Sequence, residues 1–127
     1  MDENTRNLTA YEKIVFEKLL SCNFPGRDSL ARQLNGMKVS QLDESGCLAL
    51  EPTVTERAAV KHRIPIEATY PDADGVIVHV DVHVVNGLLF GLEYYREDGG
   101  VIVVHPRADE LTLFIPTGCG AVGEVAK

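Results

Sequence analysis

The chain has no tryptophan and only 6% aromatic residues, so its core must come mainly from aliphatic side chains. It has no cluster of Lys or Arg, and its formal net charge is −7. Neutralising phosphates dominates nucleic-acid affinity, so an acidic chain without a basic stripe argues against DNA or RNA as a partner. The same charge argues against anionic membrane surfaces. Cys22, Cys47 and Cys119 are odd in number and show no C-x-x-C spacing. They predict reduced thiols rather than a disulfide frame or a zinc site. No apolar run approaches membrane-spanning length, and the opening Met1-Asp2-Glu3-Asn4-Thr5-Arg6-Asn7 is too polar for a signal peptide. The sequence therefore predicts a cytoplasmic protein. Catalytic signatures are missing as well: there is no G-x-S-x-G, H-E-x-x-H or phosphate-binding loop. Thr117-Gly118-Cys119-Gly120 lacks the lysine and helix that a phosphate cradle needs.

What is present suits one domain. With 127 residues and 45% hydrophobic content, the chain can bury roughly two-thirds of its unfolded surface. The domain is expected to span 1–127, with 1–6 and 117–127 as flexible tails. Thr9-Ala10-Tyr11-Glu12 is a capping box. Tyr11, Ile14, Val15 and Leu19 follow at helical spacing, and Pro25-Gly26 ends the helix. A second helix is predicted over 27–35, with Leu30, Ala31 and Leu34 as its stripe. From Met37 the period changes to two. Residues 37–42 and 47–50 read as a hairpin, and 52–61 as a polar, mobile segment.

Three turn signals then recur every twelve residues: Asp74-Gly75, Asn86-Gly87 and Asp98-Gly99. They predict a meander with strands at 62–70, 76–85, 88–95 and 101–105, and a further strand at 111–115. Pro65 lacks a donor, which places its strand at an edge or beside a bulge. The expected fold is α+β: two N-terminal helices packed on one face of a mostly antiparallel five- or six-stranded meander sheet.

The register at Asn86-Gly87 decides which residues share a face. A two-residue loop would set Val80 against Glu93 and mix the faces. A three-residue loop with Gly87 in a bulge pairs Val84 with Leu88, Val82 with Phe90 and Val80 with Leu92, which makes one face wholly apolar. Carried back through a five-residue turn, this register sets Ile66 against Val80. The opposite face then collects Arg63, Glu67, His79, Asp81, His83 and Glu93 around Gly91. His79 is expected between Glu67 and Glu93, Asp81 against Gly91, and Arg63 against His83. Such complementary pairs contribute roughly 0.2–1 kcal/mol each.

Glu67, His79, Asp81, His83 and Glu93 are the candidate binding residues. The simplest reading is a solvated or partner-facing patch, with no cofactor and no metal assigned. His79 and His83 stand about 13–14 Å apart along a strand, too far to share one ion. His79 with Asp81 and either Glu67 or Glu93 could hold one. Asp72-Ala73-Asp74-Gly75 has too few ligands for a calcium loop and reads as a turn.

Arg6-Asn7-Leu8-Thr9-Ala10-Tyr11-Glu12, Asp72-Ala73-Asp74-Gly75-Val76 and Gly87-Leu88-Leu89-Phe90-Gly91-Leu92-Glu93 together resemble a family of small, functionally uncharacterised bacterial domains. That family opens with R-x-L-T-x-x-E, carries D-x-D-G before a long strand and continues with an L-x-E-L-E-like strand, where Gly91 replaces an acidic residue. The resemblance covers about 6–105 and implies no catalytic residues. Composition also resembles immunity proteins that neutralise bacterial toxins. The leading expectation is thus a non-enzymatic module that binds a basic protein. The alternatives are a small-ligand or metal-binding protein using the polar face, and a homo-oligomer joined through strand edges or the rim of Ile77, Val85, Leu89 and Tyr95.

Overall fold

The computed structural model describes residues 5–116 and the strand Gly123–Val125. The strands are β1 (Arg6–Asn7), β2 (Lys38–Gln41), β3 (Leu48–Glu51), β4 (Ile66–Pro71), β5 (Ile77–Val85), β6 (Leu88–Arg96), β7 (Thr112–Ile115) and β8 (Gly123–Val125). The helices are α1 (Ala10–Leu19) and α2 (Arg27–Gln33). All strand pairs are antiparallel, in the order β1-β2-β3-β6-β5-β4-β7-β8. The α+β class and antiparallel sheet stand, but the described residues form eight strands rather than five or six. Only β4-β5-β6 is a meander; β3 joins β6 and β7 joins β4. No helix among the described residues is long and apolar enough to cross a membrane. Most of the two predicted tails, and Cys119 with them, lies outside the described residues. Arg6 pairs with Val39.

The opening motif works as a latch. Thr9 Oγ1 accepts the Glu12 amide at 3.0 Å, and Glu12 Oε1 accepts the Thr9 amide at 3.0 Å. Both Arg6 Nη atoms then donate to the same carboxylate, at 2.8 and 2.9 Å. One glutamate therefore caps α1 and ties it to β1. The buried stripe of α1 is Val15, Phe16 and Leu19; Tyr11 and Ile14, expected inside, are 42% and 53% exposed. The tyrosine leaves because its hydroxyl donates to Pro106 O at 2.6 Å.

Val78, Val80, Val82 and Val84 of β5 are buried, with Ile66, Ala68 and Tyr70 of β4 and Leu92 and Tyr94 of β6. They form one cluster with Val15, Phe16, Leu19 and Leu30. The apolar parity of the strands is thus as expected, although the pairings differ. Val85 pairs with Leu88 across a two-residue turn in which Asn86 and Gly87 have φ of 54° and 77°, the signature of a primed hairpin turn. The register shift comes later, between His83–Gly91 and Val84–Leu89. That bulge turns Phe90 outward to 53% exposure and buries Leu89 in its place.

Gln33 explains where the bulge falls. Its side chain is fully buried; Oε1 accepts the Leu89 amide at 2.8 Å while Nε2 donates to Gly87 O and Glu56 O, each at 2.8 Å. Gly87 also packs so tightly that an added Cβ would lie 2.7 Å from Ala58 O. The Ala58 amide donates to Gly87 O at 2.8 Å, so the segment 52–61, expected to be mobile, is pinned at its centre.

Two other expectations change. Pro65 lies just before β4, an interior strand, so its missing donor removes no ladder bond. Residues 101–105 form no strand. The amides of Val103 and Val104 donate instead to the Asp72 carboxylate, both at 2.9 Å, and Tyr70 Oη donates to Val104 O at 2.7 Å.

Candidate functional site

Alternation along β4, β5 and β6 carries the polar residues to the face opposite the cluster. The register there is Glu67–Asp81–Glu93 in one row and Thr69–His79–Tyr95 in the next, with His83 opposite Gly91. The sequence placed the same five candidates on one face, but the pairing is displaced by two residues on both sides of β5. It is Asp81, and not His79, that sits between Glu67 and Glu93. A row expected to alternate in charge instead sets three carboxyl groups side by side, an arrangement that destabilises.

The consequence falls on Asp81. It is only 5% exposed, and its Oδ1 is buried without a hydrogen-bond partner. Burial, then a hydrogen bond with the Glu67 carboxylate and the charges of Glu67 and Glu93, push its pKa well above the ordinary aspartate value.

The two histidines serve different carboxylates. His79 Nδ1 lies 2.9 Å from Glu67 Oε2 and Nε2 lies 3.0 Å from Glu97 Oε2, with its ring stacked on Tyr95 at 4.8 Å. Burial opposes the charge on this imidazole, but Glu97 and Glu67 outweigh it and raise its pKa. Glu97, just past the end of β6, was not among the candidates, since no periodicity reaches beyond the strand. His83 Nε2 lies 2.9 Å from Glu93 Oε1. Arg63 Nε donates to His83 Nδ1 at 3.0 Å, and that donation assigns the ring proton to Nε2. Arg63 is not paired in the ladder, yet it reaches His83 from before β4 and lies over the Phe90 ring, 5.3 Å from its centroid.

Beside His83 and Glu93 the face opens into a groove of about 600 Å³ whose other walls include Arg63, Leu42 and Phe90. Gly91 forms part of the lining. An added Cβ there would meet nothing closer than Leu48 O at 3.5 Å, so the backbone does not demand glycine and its bareness keeps the groove open. Asp81, His83 and Glu93 each present a donor atom, all within 4.8 Å of one another, and they are the one such group among the described residues.

The other sequence signals resolve into structure. In the Asp72–Gly75 turn, Arg96 fills the place a cation would take: it bonds Asp72 at 2.9 Å, Asp74 at 3.0 Å and Asp98 at 2.7 Å. Cys22 is buried and Cys47 half-buried; burial raises both thiol pKa values, the opposite of a reactive thiolate. His105 Nε2 lies 2.7 Å from Ser45 O. Of the expected self-association rim, Leu89 is 1% exposed and drops out, while Tyr95 is 41% exposed with the His79 ring stacked on it.

No curated protein and no solved structure matches the chain. A family model matches residues 5–106, which take in the Arg6–Glu12 latch, the Arg96 clamp and every residue of the polar face. The chain belongs to the family described as Domain of unknown function (DUF6984).

Proposed function

We propose that this domain is a non-enzymatic binding module whose working surface is the outer face of β4, β5 and β6, and that what it receives there carries positive charge. The two helices serve as the cover of the apolar face, which leaves the polar face free for a partner. One observation carries the reading: Asp81 is buried between Glu67 and Glu93 with a carboxyl oxygen that nothing among the described residues satisfies. Folding alone gains nothing from that row, and groups of perturbed ionisation gather at functional sites. The net charge of −7 extends the attraction beyond the face and favours a basic segment of a partner protein, in the manner of an immunity protein, met in the cytoplasm.

Titration with a short Lys/Arg-rich peptide, followed by backbone amide chemical shifts, tests this. Shifts gathered at Glu67, residues 79–83 and residues 91–97 are expected, with none from an acidic peptide of equal length. Shifts spread evenly over the surface, or none, overturn the reading. A second reading, a site for a small ligand or metal, is favoured by the three donor atoms within 4.8 Å of one another.

A further inference from the structure

We propose that Asp81, His83 and Glu93 bind a divalent transition-metal ion of the zinc class at the edge of the groove. This rests on the reading that the polar face receives positive charge, and it names the cation.

The backbone assembles the site. Asp81 and His83 are two apart on β5 and so share a face, while Glu93 is the direct cross-strand neighbour of Asp81 on β6. Pleat and pairing therefore converge three side chains on one point, with their donor atoms all within 4.8 Å. Two carboxylates and an imidazole suit zinc, nickel or manganese; calcium and magnesium sites are built from oxygen alone. Three protein ligands leave a coordination position for water or a second ligand.

Two further observations point the same way. Asp81 is more than nine-tenths buried yet has an oxygen with no partner, whereas buried polar groups are nearly always satisfied. Gly91, opposite His83, leaves the groove open on the side of the imidazole although the backbone would accept a Cβ there. His79 is not a ligand: both its nitrogens are held by Glu67 and Glu97.

Coordination through His83 Nε2 exchanges the present hydrogen bond to Glu93 for two bonds to the ion. The ring proton moves to Nδ1, where Arg63 now donates, so Arg63 must withdraw toward the Phe90 ring it already covers. Arg63 is therefore a competitor of the ion by both charge and tautomer. Its removal should tighten binding.

The test is calorimetric titration of the full metal-free chain with zinc, nickel and manganese chlorides, magnesium serving as control, together with the absorption spectrum of the cobalt(II) form. One ion per chain is expected, with a cobalt spectrum that lacks a thiolate charge-transfer band. Affinity should fall at least tenfold in His83→Ala and in Glu93→Gln, rise in Arg63→Ala, and hold in His105→Ala, whose ring lies on Ser45 O. Glu93→Gln keeps the side-chain shape and carries the result should His83→Ala fail to fold. No saturable binding, binding that survives both substitutions, or a thiolate band overturns the proposal. If metals fail while the basic peptide still maps to the face, only the identity of the cation is wrong. If metals bind at these residues and the peptide does not, the partner reading falls alone.

Discussion

Two groups of three acidic residues occupy the β4-β5-β6 meander, one at the open end of the β5–β6 hairpin and one halfway along it. At the open end, Asp72, Asp74 and Asp98 surround Arg96, and Asp72 also accepts the amides of Ala73, Val103 and Val104. Burial alone would raise the pKa of Asp72, but those amides and Arg96 bring it below the ordinary value, and Asp74 and Asp98 are lowered chiefly by Arg96. Halfway along, Glu67, Asp81 and Glu93 stand in one row with no cation at the centre, and Asp81 shifts the other way. The same residue chemistry is a structural clamp where the chain sets an arginine at the centre and a candidate binding site where its histidines reach only the two flanking glutamates. The difference lies in what is left over: the clamp is closed, whereas the row keeps an unsatisfied oxygen.

The largest way to break this comparison is to open the clamp. Arg96→Met leaves Asp72 buried without its counter-ion and should lower the melting temperature by on the order of 10 °C, because removing one partner of a buried pair strands the other. A smaller drop than that of an exposed control such as Arg107→Met would mean that the backbone amides alone hold Asp72. The row should respond with the opposite sign. Glu93→Gln removes one of two charges flanking Asp81 and should raise stability by roughly 0.2–1 kcal/mol in urea denaturation, the scale of a direct cross-strand charge contact. Smallest of all, Gly91→Val should change stability by about 0.5 kcal/mol or less, since a Cβ fits and valine suits a strand, yet it should abolish binding in the groove. A variant that unfolds would show that Gly91 is bare for the backbone's sake.

Local chemistry made much of the fold legible. The capping box and the alternation of β5 need only neighbours in sequence, and each sits where its residues predict; the turn also falls at Asn86-Gly87, but as a two-residue primed turn and not as the three-residue bulged loop expected. Long-range contacts decided the rest. The bulge at Leu89 and Phe90 depends on the Gln33 side chain, 56 residues earlier in the chain. Residues 101–105 do not extend as a strand because a carboxylate some thirty residues back captures two of their amides. The five candidate residues were placed on one face because apolar parity survives a slip of two. That same slip decides which charges touch, and it turns a row of alternating charge into one of three adjacent carboxyl groups.

The linkage signs make the central claim directly measurable. Asp72, Asp74 and Asp98 have folded-state pKa values below the unfolded one, so the clamp's contribution is full above the ordinary aspartate range and fades as pH falls through the lowered values. Asp81 has a raised folded-state pKa; its row costs nothing extra below the unfolded value, about 3.9, and loses stability as pH rises from there toward the folded value. The measurement is urea denaturation of the native chain and Asp81→Asn at intervals from acid to neutral pH. The two stabilities should converge near pH 4 and separate above it, with the variant ahead by on the order of 1 kcal/mol at neutral pH. An Asp81→Asn chain that is less stable than the native one at neutral pH, or that tracks it at a constant offset, contradicts the account.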